Sequence, residues 1–225
     1  MPEQTASKER TPRIPGLDVD ALPLVGIGLG LTGIALGFRP RLAPLPLALT
    51  ALAAALYRDP ERTTPAEPLT LFAPADGAVV AVSDVYEHRF LHTDSLRLSV
   101  VSSPLDVPIC RSPAAGLVQY VQPVSGEFRP VADPLAGDQN ERLYIGIATD
   151  WGPILVSLIA GPVGRRITCQ VQPGDRVEAG ARLSVTRFGS RTDLFVQRDV
   201  VRLLVGLDQR VRAGVSRFGQ ITPVH

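Results

Sequence analysis

In Arg187-Phe188-Gly189-Ser190-Arg191-Thr192-Asp193-Leu194-Phe195, strand-type residues are interrupted by a Gly-Ser pair: Val185 and Phe188 come before it, Leu194 and Phe195 after it. A glycine inside a strand marks a bulge or a close backbone approach. A serine directly after it can turn its hydroxyl onto the Gly189 carbonyl. Alone, the pair reads as a turn, because turns favour both residue types. Outward from it, the chain from Leu69 onward consists of short apolar runs separated by Gly, Pro, Asp and Asn. These runs are Ala78 to Val82, Leu96 to Val101, Gly116 to Val121, Leu143 to Ala148, Ile154 to Ala160, Arg166 to Val171 and Val200 to Val205. None sustains a 3.6-residue period, so the expected fold is mainly β, a sandwich or barrel of ten or more strands.

The 225 residues suffice for one sizeable domain and an appendage. A net charge of +1 implies no field for nucleic acid, and no nucleic-acid partner is expected. Cys110 and Cys169 sit in apolar strand-like surroundings without metal-ligand spacing, and read as buried thiols rather than a disulfide. Gly174 to Gly180 echoes Asp208 to Gly214 in a G/D-x-x-V-x-A-G shape, which invites comparison with biotinyl or lipoyl carrier domains. Such a carrier needs a lysine at a hairpin tip, and Lys8 is the only lysine in the chain.

Residues 1–20 are polar and proline-punctuated and read as a disordered tail. Ala21 to Phe38 follows, eighteen residues without a charge, then Leu42 to Tyr57, sixteen more. Roughly 20 apolar residues span a bilayer. Residues 21–62 are therefore expected to form a membrane-associated helical hairpin, spanning twice or dipping into one leaflet. Gly26, Gly28, Gly30 and Gly33 would let its helices approach closely. A cleaved signal peptide fits poorly, because the first run starts late and a second follows at once. Lys8, Arg10, Arg13, Arg58 and Arg62 outweigh Arg39 and Arg41 of the loop, which puts both flanks in the cytoplasm. Pro60, Pro65 and Pro68 end helical structure, so a β-rich domain is expected over residues 63–225.

Several segments carry side chains suited to chemistry. Pro74-Ala75-Asp76-Gly77 is a turn with a carboxylate, and Ser103 to Pro113 reads SPLDVPICRSP. Asn140-Glu141-Arg142 is a polar turn, and Ile159 to Cys169 carries the pair Arg165-Arg166. Guanidinium forks bind phosphate or carboxylate bidentately, although a paired arginine is also an ordinary charged β-edge. In this order and spacing, together with RFGSRTDLF and the R-D-P-E-R of Arg58 to Arg62, these segments resemble the phosphatidylserine decarboxylase proenzymes of the short bacterial and archaeal type. The resemblance runs over roughly residues 20–221. It departs at Pro108, where the family pattern has a proton-transferring histidine; proline has no titratable group. The chain holds three other histidines, His88, His92 and His225, and the first two lie in a loop from which one could substitute.

The resemblance implies a proenzyme that cleaves itself between Gly189 and Ser190. Ser190 attacks the Gly189 carbonyl to give an ester, elimination leaves dehydroalanine, and hydrolysis releases ammonia and leaves a pyruvoyl group. Asp76 would help activate Ser190, since a hydroxyl nucleophile needs a base nearby. The two chains would stay together as a heterodimer. The pyruvoyl ketone is the cofactor this implies, the electron sink that decarboxylation of an amino acid requires, with no metal. The substrate would be phosphatidylserine in the cell membrane, the product phosphatidylethanolamine, and Arg165 and Arg166 candidates for the substrate's phosphate or carboxylate. The rival expectation, prompted by Pro108, is a membrane-attached protein that binds lipid headgroups with impaired catalysis.

Overall fold

The structure, a computed structural model, describes residues 16–133 and 135–222. It divides into two compact units, one ending at Glu61 and one running from Arg62 onward. In the first, β1 (Gly16–Leu17) is followed by α1 (Leu22–Phe38), α2 (Pro44–Leu56) and β2 (Arg58–Asp59). Most of the expected disordered tail, residues 1–15, lies outside the described residues. Of its last residues, Gly16–Leu17 form a short strand and Val19–Ala21 a 3-10 turn. Gly16, at φ +84°, opens a strand that pairs antiparallel with β2. Asp18 then donates its N–H to the Tyr57 carbonyl at 2.9 Å and caps the Asp20 N–H with its side chain.

The helices form because their runs carry no charge and place proline only in the first turn of each (Pro23, Pro44 and Pro46), where no intrahelical N–H bond is lost. Inside them, Thr32 and Thr50 return their hydroxyls to the Gly28 and Pro46 carbonyls at 2.8 and 2.7 Å. Of the four glycines expected at the helix contact, only Gly28 is needed there: a Cβ on it would run into the Thr50 side chain. Gly26, Gly30 and Gly33 face open space. Leucines and isoleucines point outward all along α1, and Val19–Phe38 is long and apolar enough to cross a membrane. The second helical stretch, Pro40–Leu56, is shorter.

The second unit is mainly β. Its strands are β3 (Thr70–Phe72), β4 (Gly77–Glu87), β5 (Thr93–Ser102), β6 (Ile109–Arg111), β7 (Gly116–Val124), β8 (Arg142–Thr149) and β9 (Gly152–Ala160). After them come β10 (Ile167–Cys169), β11 (Arg176–Val177), β12 (Arg182–Thr186), β13 (Ser190–Gln197), β14 (Val201–Leu203), β15 (Arg210–Val211) and β16 (Arg217–Ile221). One short helix, α3 (Ala136–Gln139), precedes β8. Eight strands make one antiparallel sheet in the order β11-β7-β8-β9-β13-β5-β4-β15. Two three-stranded sheets, β10-β12-β6 and β14-β16-β3, complete the unit. Period-two alternation sets the inner face of the large sheet: Leu98 and Val100, Ile145 and Ile147, Ile154 and Leu158, and Leu194 and Val196 join one core with Leu71, Leu183 and Phe218.

The faint echo in sequence is one half of a two-fold internal repeat. Ala73 to Val79 and Ser112 to Val118 make matching bonds. Gly214 N–H donates to the Ala73 carbonyl as Gly180 N–H does to Ser112, both at 2.8 Å. Val79 N–H donates to Gln209 as Val118 N–H does to Asp175. Gly180 and Gly214, at φ +79° and +69°, meet back to back: a Cβ on Gly214 would lie 3.1 Å from the Gly180 Cα. The repeat sets Asp76 and Ala115 in equivalent turns, so this turn does not itself require a carboxylate.

Candidate active site

β13 is a central strand, bonded to β5 on one side and β9 on the other, and Ser190 is its first residue. Ser190 stands opposite Ser102 and Ala160. Even-numbered residues of β13 share the inner face with Leu194 and Val196, so Ser190 is buried and turned inward. The two residues before it have positive φ, Phe188 at +66° and Gly189 at +87°. A bulky residue in that region is a strained outlier, held only where its surroundings over-determine it. The loop after β9 supplies that constraint. A Cβ on Gly161 would stand 2.9 Å from the Gly189 carbonyl oxygen, and one on Gly164 would collide with the Arg187 oxygen and lie 3.0 Å from that of Gly189. Two glycines thus let this loop close onto the peptide between 189 and 190.

A narrow, partly open pocket with clear room for about one water lies at Ser190. Ala75, Val107, Pro108, Ile109, Cys110 and Leu158 give it apolar walls, and Ser102, Thr186 and Thr192 add hydroxyls. Burial pushes the Cys110 thiol up to about 12, so it is an inert apolar wall rather than a thiolate. Pro108 is a wall of the Ser190 pocket.

Asp76 is buried next to this pocket, yet its carboxylate is engaged elsewhere. Arg62 grips it bidentately at 2.5 and 2.7 Å, and the Ala213 N–H donates to it at 2.8 Å. Arg62 also donates to the Ala213 carbonyl, which is why it belongs to the β-unit rather than to the end of the hairpin. Toward Ser190 it is the Asp76 backbone carbonyl that acts, accepting from the Ser102 hydroxyl at 2.5 Å.

His88 and His92 lie at the far end of the sheet. They form the turn between β4 and β5, whose pairing begins at Glu87 and Thr93. Ser102 closes β5 at the Ser190 end. Ten residues of strand at ~3.3 Å each separate His92 from Ser102 by roughly 30 Å. The expectation that either histidine substitutes at the site is overturned by this register. His225 lies outside the described residues.

Arg165 and Arg166 are exposed in the loop after β9, and neither lines the pocket. Arg165 donates to the Pro162 carbonyl at 3.0 Å and lies over the Phe128 ring. The Asn140-Glu141-Arg142 turn is closer to the chemistry. Buried Asn140 donates to the Ala160 carbonyl at 2.8 Å, and the Glu141 carbonyl accepts from the Ala160 N–H, which pins the residue opposite Ser190. Among the described residues, no group of three or more His, Cys, Asp or Glu could hold a metal ion.

One feature was missed in the sequence. On the outer face of β13, Arg191 donates to Asp193 at 2.7 and 3.0 Å and to the Ser99 hydroxyl at 3.0 Å, all of it buried. Arginine and aspartate two apart in a strand point to one side, and that spacing in Ser-Arg-Thr-Asp was the available signal.

Comparison with known proteins decides what this architecture belongs to. The phosphatidylserine decarboxylase family matches residues 49–218. The chain is 38% identical to the phosphatidylserine decarboxylase proenzyme of Symbiobacterium thermophilum over 210 residues, 93% of this chain and 97% of that one. It is 41% identical over 182 residues to the proenzyme of that name from Salinibacter ruber, 79% and 80% of the two chains. With that of Carboxydothermus hydrogenoformans it shares 37% over 165 residues, 73% and 78% of the two. The chain belongs to the phosphatidylserine decarboxylase family. The family match spans Asp76, Pro108 and the Gly189-Ser190 pair, so the strained bend and its pocket fall within the matched region.

Proposed function

We propose that this chain is a self-processing phosphatidylserine decarboxylase, cleaved between Gly189 and Ser190 and carrying a pyruvoyl group made from Ser190. The observation that carries the reading is the strained Phe188-Gly189 bend, packed against Gly161 and Gly164, directly before a buried serine at the head of a central strand. Strain held by surrounding structure at one peptide is a reservoir that bond cleavage releases. Ser190 supplies the hydroxyl that attacks the Gly189 carbonyl carbon; the amide becomes an ester as the nitrogen takes a proton. Elimination then expels the Gly189 carboxylate, and water replaces the nitrogen of the residue left behind, releasing ammonia. Asp76 assists through Ser102, whose hydroxyl it orients opposite Ser190.

The resulting pocket fits a pyruvoyl group, because its walls are mostly apolar and its cysteine, Cys110, is held as a thiol. Bound there, the group would supply a carbonyl that, joined to the substrate amine, is the sink for the electron pair of the Cα–carboxylate bond as carbon dioxide leaves. The protein's own part is to hold the serine headgroup in this pocket and keep water from it. Residues 190–225 remain with residues 1–189 as a heterodimer, because β13 keeps its pairing to β5 and β9 after the cut. The hairpin anchors the enzyme in the cell membrane, with the β-unit on the cytoplasmic side. Arg165 and Arg166, exposed in the loop that covers Gly189, remain the candidates for the substrate's phosphate or carboxylate. Phosphatidylserine turnover by purified protein in mixed micelles tests the reading. Carbon dioxide release by the parent, and none by an intact Ser190→Ala variant, is the expected result; equal release by both would overturn it.

A further inference from the structure

The three-stranded sheet β10-β12-β6 delivers one more group to the pocket. Thr186 is the last residue of β12, and its N–H donates to the Pro108 carbonyl at 2.9 Å. Its side chain is 4% exposed and lines the pocket beside Ser190. Its Oγ1 has no hydrogen-bond partner among the described residues. Buried hydroxyls are almost always bonded, and one left unmade destabilises the fold relative to an apolar group of the same shape. The neighbouring hydroxyl of Ser102 is already committed to the Asp76 carbonyl. Thr186 therefore offers an unused hydrogen bond in a pocket where Val107, Pro108, Ile109 and Leu158 offer none from their side chains and Thr192 carries the other threonine hydroxyl.

We propose that Thr186 is a substrate-binding residue whose hydroxyl donates a hydrogen bond to the carboxylate of the serine headgroup in the Ser190 pocket. The assignment rests on the decarboxylase reading of this site. Its chemistry is that of a weak ligand chosen for the task. A carboxylate that is to be lost gains from leaving water for an apolar wall. A guanidinium there would stabilise the bound carboxylate in the ground state more than in the transition state, in which its charge is dispersing. One neutral hydroxyl orients the group and leaves it otherwise poorly solvated. No arginine lines this pocket.

Thr186→Val keeps the shape and removes the hydroxyl; Thr186→Ser keeps the hydroxyl. Each is made in the full chain, and three quantities are read: the extent of self-cleavage, the melting temperature, and KM and kcat on dispersed short-chain phosphatidylserine. We expect the valine variant to be cleaved like the parent and to melt at the same temperature or higher, since it no longer buries an unmade hydrogen bond. Its KM should rise about tenfold or more, the loss expected for one hydrogen bond to a charged group. The serine variant should recover most of that. An active parent whose valine variant keeps KM and kcat within about twofold would overturn the assignment alone. So would a valine variant that melts lower with unchanged kinetics, because the hydroxyl would then belong to the fold. A fully cleaved parent with no turnover would overturn the functional reading, and this assignment with it.

Discussion

Asp193→Asn is the most informative single change outside the cleavage site. The Asp193 side chain is 3% exposed and Arg191 10%, and two charge-assisted bonds join them on β13. The amide keeps the shape and one acceptor but loses the charge. Arg191 is left as a buried cation with Ser99 as its remaining full partner. Removing one member of a buried pair costs about 3–5 kcal/mol, a large share of the roughly 5–15 kcal/mol that holds a domain folded. For a domain of this size, about 2–4 °C per kcal/mol puts the fall in melting temperature at about 6–20 °C. The assay is a thermal melt in detergent, with every variant in the Ser190→Ala background so that cleavage state is constant. The Arg191→Met/Asp193→Leu double variant should melt closer to the parent than Asp193→Asn does, because it removes both buried charges at once. An Asp193→Asn melt within about 2 °C of the parent would refute the reasoning, since the pair would then be solvated.

Three further outcomes follow from the same geometry. Gly164→Ala places a methyl against the Arg187 and Gly189 carbonyls; self-cleavage followed on a denaturing gel should slow at least about tenfold, with a loss of about 1–3 kcal/mol from overpacking. Asp76→Asn keeps the backbone carbonyl that accepts from Ser102 but removes the charge facing Arg62, so it should melt lower than the parent while intact mass still shows self-cleavage; an uncleaved chain that melts like the parent would show that the carboxylate, not the carbonyl, assists. Cys110 gives a pH dependence: its thiol is pushed from 9.0 up to about 12 by burial, so between those values the unfolded chain ionises and the folded one does not. Stability should fall as pH rises through that window, by about 1.4 kcal/mol per pH unit. Melts of Cys110→Val across it should lack that slope, and an identical slope in both proteins would contradict the burial.

Local pattern made much of this legible in sequence. Uncharged runs became α1 and α2 within two residues, because nothing but length and composition determines them. The apolar runs at Ala78, Leu96, Leu143 and Ile154 became β4, β5, β8 and β9, since alternation against one core is also a local property. What escaped depends on register and on contacts distant in sequence. No spacing tells that the His88 turn lies at the opposite end of β5 from Ser190, or that Arg165 stacks on Phe128 rather than facing the pocket. Nor does the sequence tell that Arg62, fourteen residues upstream, holds the Asp76 carboxylate. The repeat was visible at Gly174 and Asp208 but not at Ala73 and Ser112, where short glycine-containing turns look alike until their hydrogen bonds match.

Intact-mass measurement of the protein purified from its native host tests the central claim most directly. We predict two species and no full-length chain: one ending at Gly189, and one of residues 190–225 that is lighter than the plain peptide by the mass of ammonia. A single species of 24.1 kDa, with serine unaltered at position 190, would contradict it.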